Sequence, residues 1–172
     1  MQSNSQELVH CFAPLARGDA TRLILGSMPG KASLTAQQYY AHPRNVFWLL
    51  IEQVLAIPAA LPYAQRCEAM VAKQIAVWDV LQSCVRSSSL DADIEPDSIL
   101  PNDFSGFFSA HPNISKVYCN GAAAEQLFRR QVWPKLPAPL QRIELLRLPS
   151  TSPANASIAY AVKVQQWQQL IE

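Results

Sequence analysis

The chain has 172 residues, of which 49% are hydrophobic and 16% charged, and its formal net charge at pH 7 is +1. This length fits one domain that buries most of its apolar surface, and the composition excludes a disordered chain. The near-neutral balance argues against binding nucleic acid by bulk electrostatics, although a few local phosphate contacts remain compatible with it. We therefore expect a single domain over residues 1–172.

The sequence predicts a cytoplasmic monomer without disulfides, metal, cofactor or membrane anchor. Residues 1–7 are polar and lack the apolar core of a signal peptide, and no apolar run reaches the roughly 18 residues of a membrane span. The four cysteines are widely spaced and never form a Cys-x-x-Cys pair, so we expect reduced thiols. Cys84 and Cys119 follow apolar runs and are expected to pack in the core.

Four short apolar runs predict buried strands at residues 22–26, 74–79, 116–120 and 143–149. Because helical patterns lie between them, we predict an α/β fold, a three-layer α/β/α sandwich around a central, mostly parallel four-stranded sheet. Ligands of such sheets bind outside the carboxyl ends of the strands. Residues 87–101 are polar and rich in turn formers, which predicts a surface excursion.

Three helical patterns accompany these strands, each with apolar residues at the spacing of one buried face. The predicted boundary residues are, in chain order, Asn45 and Pro58, then Gly121 and Pro134, then Asn155 or Ser157 as the last cap. The predicted buried faces are Phe47, Leu50, Ile51, Val54 and Leu55, then Ala124, Leu127, Phe128 and Gln131, then Tyr160, Val164, Trp167 and Ile171.

A long segment between the first strand and the first helix is crowded with aromatic and polar groups. Residues 27–45, here called the aromatic segment, hold two prolines, two tyrosines, a histidine, an arginine and an asparagine. Long connections of this kind are uncommon in compact domains and are usually functional. A stacking surface, an amide and a turn of free backbone N–H groups can hold a planar heterocycle beside a phosphate. The segment therefore predicts a nucleobase pocket.

The start of this region, residues 26–31, matches neither a nucleotide-hydrolase phosphate loop nor a nucleophile elbow. Three residues instead of four separate its two glycines, and alanine follows Lys31 where Ser or Thr is required. Ser27 directly follows Gly26, whereas an elbow places one residue between them. A strained turn without a ligand remains the alternative interpretation.

Residues later in the aromatic segment also have structural alternatives. Tyr39 and Tyr40 can close the core, or they can stack on a base at roughly 1–3 kcal/mol per base. His42 is more often a hydrogen-bonded structural histidine than a catalyst. Asn45 can cap the following helix or bind a water or a base edge.

A second polar cluster precedes the last helix. Residues 148–155, here called the Ser/Thr loop, place three hydroxyls, Ser150, Thr151 and Ser152, between two prolines. Such a stiff loop can donate to phosphate oxygens, and a plain turn into the helix is the alternative. Because this loop and the aromatic segment both follow strand carboxyl ends, we expect them to face one cleft.

Three motifs carry a family resemblance: Gly26-Ser-Met-Pro-Gly30, Tyr39-Tyr-Ala-His-Pro-Arg-Asn-Val-Phe-Trp48 and Leu148-Pro-Ser-Thr-Ser-Pro-Ala-Asn155. Together they resemble the uracil-DNA glycosylase superfamily, and most of all its hypoxanthine-DNA, or DNA-deoxyinosine, glycosylase branch. The likeness covers most of the chain. It implies a monofunctional repair enzyme that hydrolyses the N-glycosidic bond of deaminated bases in DNA, with hypoxanthine preferred and uracil or xanthine as further substrates, and that leaves an abasic site.

The resemblance also implies residue roles. Asn45 would orient the attacking water. Base binding would fall to Ser27, Met28, Pro29, Gly30, Tyr40 and His42, and DNA binding to Lys31, Arg44, Ser150, Thr151 and Ser152. Two positions depart from related enzymes: Met28 stands where mismatch-type uracil glycosylases have a water-activating asparagine, and Leu148 stands where uracil-specific relatives have the His or Asn that stabilises the departing base.

Two other functions compete with the glycosylase hypothesis. A non-catalytic nucleic-acid or nucleotide-binding module on the same fold is favoured by Met28 and Leu148. A small-molecule hydrolase would use Ser27 or Cys119, but the chain lacks a matching elbow and an evident Ser-His-Asp order.

Overall fold

The chain alternates strands and helices around a parallel sheet. The computed structural model describes residues 7–172; residues 1–6, which carry most of the signal-peptide expectation, lie outside the described residues. The strands are β1 (Glu7–His10), β2 (Arg22–Gly26), β3 (Ile75–Asp79), β4 (Leu81–Arg86), β5 (Leu100–Pro101), β6 (Lys116–Asn120) and β7 (Glu144–Leu148). The helices are α1 (Lys31–Ala36), α2 (Phe47–Leu55), α3 (Tyr63–Ala72), α4 (Phe104–Ala110), α5 (Ala122–Leu127) and α6 (Tyr160–Trp167).

The central sheet has the order β3-β2-β6-β7, and every pair in it is parallel. These are the four strands that the sequence predicts, with ends that differ by no more than one residue. The parallel register sets the last residues of the strands side by side, with Gly26 opposite Asp79 and Asn120 opposite Leu148. The carboxyl ends therefore form one edge, where the predicted site should lie.

Helices cover both faces of this sheet. Along β2, Leu23 and Leu25 pack into a core with the phenylalanines of α4 and with α5. Ile24 points to the other face and packs with α2, α3 and α6. This alternation follows from the two-residue period of a strand. The predicted three-layer α/β/α sandwich is confirmed, and Cys84 and Cys119 lie in the core as free thiols.

A second sheet was missed by sequence interpretation. Strands β1, β4 and β5 form a three-stranded antiparallel sheet in the order β1-β4-β5. Residues 77–86 contain no Gly or Pro, and Val80 alone separates the predicted end of β3 at Asp79 from β4, so the start of a second strand carries no signal in the sequence. Residues 87–101 are mostly exposed, as predicted, but they also include β5 and short 3₁₀ turns.

Two predicted helix ends are wrong. Helix α2 ends before Pro58, because Ala56 adopts a left-handed φ of 56° and its N–H closes the helix on the Glu52 carbonyl. Helix α5 is followed by a π-helical turn, Phe128–Val132. The extra residue in that turn brings Val132 into the core in place of the predicted Gln131.

The start and end of the last helix also differ from the prediction. Ala159 occupies the N-cap of α6, and neither Asn155 nor Ser157 does. The final turn is a tighter 3₁₀ helix with a period of about three residues. Leu170 is therefore buried, while Ile171 is 52% exposed. Tyr160, predicted for the buried face, is largely exposed as well. Among the helices of residues 7–172, none combines the length and apolar character of a membrane span.

Candidate active site at the strand carboxyl ends

The carboxyl-end edge of the parallel sheet opens into a cavity of about 460 Å³, a volume within the roughly 300–1,000 Å³ usual for small-molecule pockets. Gly26, Asp79 and Asn120, the last residues of three strands, take part in its lining. The lining includes every residue predicted for the site: Ser27, Met28, Pro29, Gly30, Lys31, Tyr40, His42, Arg44, Asn45, Ser150, Thr151 and Ser152. The aromatic segment and the Ser/Thr loop thus face one cleft, whereas the roles of individual residues stay predictions.

Thr151 ties the two segments together. Its carbonyl accepts the Val46 N–H at 3.1 Å. Its own N–H donates to Asn120 Oδ1 at 3.0 Å, and its hydroxyl accepts from Asn120 Nδ2 at 2.9 Å. Thr151 is only 1% exposed, so the predicted contact of its hydroxyl with phosphate requires the loop to move. In this structure Thr151 instead positions the Ser/Thr loop against β6.

Ser150 and Ser152 keep their hydroxyl hydrogens available. Each hydroxyl accepts a backbone N–H two residues later, from Ser152 and Ala154 respectively, at 3.2 Å. Both serines are partly exposed at the cavity. Gly121 permits this arrangement, because it has a φ of 95° and a Cβ there would lie 2.8 Å from Ser150 Cβ. The loop therefore presents two hydroxyl donors at the cavity.

The two tyrosines of the aromatic segment have different surroundings. Tyr39 belongs to the core, and its hydroxyl donates to the Ala13 carbonyl at 2.8 Å. Tyr40 has a φ of 56°, which is rare for a bulky residue and marks local strain. Its ring stacks on Phe47 with centroids 3.9 Å apart and also lines the cavity. Tyr39 also borders the cavity but is 6% exposed, so Tyr40 is the tyrosine that we expect to present its ring to a ligand.

The His-Pro-Arg-Asn turn presents polar groups to the same space. The Arg44 N–H donates to His42 Nδ1 at 3.1 Å, so a neutral ring carries its hydrogen on Nε2. Asn45 Oδ1 accepts the Phe47 N–H at 2.9 Å, although Val46 occupies the formal N-cap position. This bond fixes the carboxamide and leaves Oδ1 a second lone pair. Asn45 therefore combines a capping contact with a position at the cavity.

Side chains of β4 and of the segment after β4 form hydrogen bonds with the turn that follows β2. Ser27 Oγ donates to Asp91 Oδ1 at 2.6 Å, and Arg86 Nη2 donates to the Pro29 carbonyl at 2.5 Å. Met28 is 7% exposed and packs mainly in the core. These contacts restrain the turn from both its side chains and its backbone.

Two exposed cations lie at the cavity rim. Lys31 begins α1, its backbone N–H donates to Ser89 Oγ at 2.9 Å, and its Nζ lies 3.5 Å from the Ser87 carbonyl. Arg44 is exposed on the opposite segment of the rim. Together they supply local positive charge to a chain that is nearly neutral overall.

A buried carboxyl in the cavity was missed by sequence interpretation. Asp79 ends β3 and is 4% exposed. Its backbone carbonyl accepts from Asn102 Nδ2 at 2.8 Å, but within residues 7–172 its Oδ2 has no hydrogen-bond partner, and neither has the buried hydroxyl of Tyr40. Burial and then the charge of Asp91 raise the pKa of Asp79 to about 7, against the lowering effect of Arg86. This carboxyl therefore changes its charge near neutral pH.

The strand-end rule identifies two of the missed residues. Asp79 and Asn120 are each the last residue of a strand, so the argument that singled out the turn after Gly26 applies to them equally. Ser89 and Asp91 carry no such signal, because they lie on an exposed irregular segment that reaches the cavity only in three dimensions.

The structure gives no support to a thiol or serine hydrolase. Cys119 is fully buried, and burial raises the pKa of its thiol to about 12, so it is not a nucleophile at neutral pH. The hydroxyl of Ser27 bonds to a carboxylate, Asp91, where a hydrolase would place a histidine. Across residues 7–172 there is no cluster of three or more side chains suited to hold a metal ion.

Comparisons with known proteins identify relatives of the chain in sequence and in structure. No protein-family profile matches the chain. A protein named hypoxanthine DNA glycosylase from Methanosarcina barkeri is 35% identical over 111 residues, 64% of this chain and 69% of that protein. Another of the same name from Methanosarcina acetivorans is 33% identical over 137 residues, 77% of this chain and 79% of that protein. A solution NMR structure from Methanosarcina acetivorans, described as a candidate uracil DNA glycosylase, matches 96% of this chain and 100% of that one with a TM-score of 0.75 at 27% identity.

Proposed function

This chain belongs to the hypoxanthine-DNA glycosylase branch of the uracil-DNA glycosylase superfamily, and we propose that it is a monofunctional repair enzyme that removes hypoxanthine from DNA in preference to uracil or xanthine. Its product is an abasic site. The observation that carries the proposal is the convergence of Tyr40, Asn45 and the Ser/Thr loop on one cavity at the strand carboxyl ends.

Binding begins with extrusion of the damaged nucleotide from the duplex. Extrusion costs a few kcal/mol, least where base pairing is already poor, as for a deaminated base opposite its original partner. The cavity volume of about 460 Å³ accommodates a single purine with its sugar. Tyr40 holds the base, because its ring is backed by Phe47 and needs no rearrangement to present a rigid aromatic surface.

The phosphates beside the extruded nucleotide are bound at the rim. Ser150 and Ser152 donate their free hydroxyl hydrogens, and Lys31 and Arg44 supply charge. Thr151 acts indirectly, since it is 1% exposed and holds Asn120 through its N–H and its hydroxyl oxygen. Few phosphate contacts are required, which fits the low net charge of the chain.

Cleavage is a hydrolysis. The bond between C1′ of the sugar and the base nitrogen breaks with its electron pair leaving on the base, and the oxygen of water bonds to C1′; the proton that water loses is balanced by the one that the released base takes up. Asn45 orients the water through the free lone pair of Oδ1. An amide is a weak base, but an oxocarbenium-like sugar needs only a positioned nucleophile.

The test of the proposal is excision from duplexes that each carry one deoxyinosine, deoxyuridine or deoxyxanthosine, followed by alkaline cleavage of abasic product. Asn45→Ala is expected to slow single-turnover excision of hypoxanthine by about 100-fold. It also removes the acceptor of the Phe47 N–H, which costs about 1 kcal/mol of stability.

A matched control separates these two effects. Asp103 caps α4 by accepting the Gly106 N–H at 3.0 Å and lies outside the cavity lining. Asp103→Ala is expected to lose similar stability with unchanged excision. Equal excision rates for the two variants would reject Asn45 as the water-orienting residue. If the unaltered chain binds the duplexes but yields no abasic product from any of them, the non-catalytic binding module is the correct alternative, which the apolar Met28 and Leu148 favour.

A further inference from the structure

The proposed roles make no use of the carboxyl of Asp79. It lines the cavity, it is 4% exposed, and its Oδ2 finds no hydrogen-bond partner within residues 7–172. Buried polar atoms are almost always paired, because an unpaired one costs free energy of folding, and more so when it is charged. An unpaired carboxyl at a cavity wall is therefore a group that awaits a ligand.

The surroundings of Asp79 keep its carboxyl in this position. A Cβ on Gly26, the neighbouring strand end, would stand 2.4 Å from Asp79 Oδ1 and 3.1 Å from the Tyr40 hydroxyl. Because Gly26 has no side chain, the Asp79 carboxyl and the Tyr40 hydroxyl can occupy this space. The backbone carbonyl of Asp79 is fixed separately by Asn102 Nδ2 at 2.8 Å. The side chain is consequently not needed to complete any hydrogen bond that the structure shows for the strand.

We propose that Asp79 in its protonated form holds the departing base, its O–H donating to a ring carbonyl oxygen and its other carboxyl oxygen accepting the adjacent ring N–H. Hypoxanthine and uracil both present such a neighbouring N–H and C=O. A protonated carboxyl matches this pair with one donor and one acceptor. This inference rests on the proposed function, and it names the group that stabilises the leaving base.

The charge that develops during cleavage explains why the neutral form is required. As the electron pair moves onto the base, negative charge spreads to its carbonyl oxygen. An O–H donor in a dry site stabilises that charge, and a carboxylate would repel it. Leu148, at the end of β7, is fully buried and apolar and offers no donor to that charge. Asp79 approaches the base from a different strand.

The protonation state follows from the groups that face Asp79. The titratable and charged groups that interact with it are Asp91, Arg86, Tyr40, Tyr39 and Cys11. Burial raises the pKa of both tyrosines and of Cys11, so these three are neutral at neutral pH. Burial and the charge of Asp91 raise the pKa of Asp79 to about 7, and Arg86 lowers it. Asp79 is protonated below that pH and ionised above it.

The experiment compares the pH profiles of single-turnover hypoxanthine excision by the unaltered chain and by Asp79→Asn between pH 6 and pH 9. An amide also offers a donor and an acceptor, but it does not ionise. The unaltered chain should lose about tenfold in rate per pH unit above pH 7. Asp79→Asn should be slower at pH 6 by about tenfold, independent of pH, and therefore faster than the unaltered chain at pH 9.

A second variant moves the profile without touching Asp79. Asp91→Asn keeps an acceptor for the Ser27 hydroxyl and removes the negative charge that raises the pKa of Asp79. The decline in rate should therefore begin at lower pH. Parallel profiles for the unaltered chain and Asp79→Asn, or an unaltered chain with no decline, would overturn the assignment. Absence of excision by the unaltered chain at every pH would instead reject the proposed function.

Discussion

The two ends of the parallel sheet are built from the same four strands but differ in how their polar groups are satisfied. At the amino end, backbone hydrogen bonds run from strand to strand: Thr21 donates to Gln74 at 2.8 Å, Ser115 to Thr21 at 3.1 Å and Glu144 to Ser115 at 3.0 Å. At the carboxyl end, backbone bonds also run from Val80 to Gly26 at 2.8 Å and from Gly121 to Leu148 at 2.9 Å. There, however, side chains such as Asn120 add hydrogen bonds, and Asp79 Oδ2 is left without a partner in the described chain.

Because of this difference, the amino end of the sheet mainly contributes stability, whereas the carboxyl end carries the candidate site. The amino end closes the core at little cost, because its backbone groups are paired with one another. The carboxyl end keeps a buried carboxyl, a buried phenol and the strained backbone of Tyr40 next to a cavity. Unpaired buried groups and backbone strain persist where a ligand uses them, at the expense of the free energy of folding. Substitutions at the two ends should therefore have opposite consequences.

The largest expected effect is a gain in stability when the buried carboxyl is removed. The pKa of Asp79 is raised by burial to about 7 in the folded chain, so its contribution to stability is fully present below the unfolded value and is lost as the pH rises through 7. Asp79→Asn avoids this loss. Its free energy of unfolding relative to the unaltered chain should rise by about 3 kcal/mol between pH 5 and pH 8.5, measured by urea denaturation.

The matched control for this gain lies at the amino end of the sheet. Glu144 begins β7 and is exposed, so Glu144→Gln should change stability by less than about 0.5 kcal/mol at either pH. The free energy of unfolding of Asp79→Asn relative to the unaltered chain could instead stay constant with pH. That result would mean that ionising the buried carboxyl costs no stability, and it would contradict the difference between the two ends of the sheet.

A smaller effect is expected from one added methyl group at the carboxyl end of β2, with a substitution beside its amino end as the control. Gly26→Ala places a Cβ 2.4 Å from Asp79 Oδ1, so the carboxyl or the Tyr40 ring must shift. Hypoxanthine excision should fall by about 30-fold, equivalent to about 2 kcal/mol. Thr21→Ala, just before the same strand, removes only a long contact of 3.4 Å to Gln74 and should leave excision unchanged. If both variants excise hypoxanthine at the same rate, the space beside Gly26 is not required for excision.

The contrast also explains what the sequence could predict. The parallel strands were identified because apolar runs of about five residues carry their own signal, and the burial pattern of β2 and β3 is nearly continuous. The convergence of the aromatic segment and the Ser/Thr loop was expected because both follow the carboxyl ends of parallel strands. Both conclusions depend on local pattern and on rules of connection, and both are confirmed.

What could not be predicted depends on contacts between distant parts of the chain. The π-helical turn at Phe128–Val132 and the 3₁₀ end at Leu170 change the helical period, and no residue type announces either. The sequence predicts Thr151 as a phosphate donor, yet the residue is 1% exposed, and its hydroxyl oxygen accepts a hydrogen bond from Asn120, 31 residues away. Asp79 reads as an ordinary polar residue after an apolar run, and only three-dimensional burial reveals its raised pKa.

The smallest expected effect concerns the charged rim above the carboxyl end. Arg44 is exposed at the cavity, and a single arginine that contacts one phosphate contributes about 0.9 to the slope of the logarithm of the binding constant against the logarithm of salt concentration. Arg44→Ala should therefore weaken binding of a deoxyinosine duplex about fivefold at low salt and reduce the slope by about 0.9, measured by fluorescence anisotropy across salt concentrations. Arg17, exposed in the turn that leads to the amino end of β2 and paired with Asp19, is the matched cation. Arg17→Ala should leave both the affinity and the slope unchanged. Equal losses of affinity for Arg44→Ala and Arg17→Ala would mean that the DNA does not bind preferentially at the carboxyl end of the sheet.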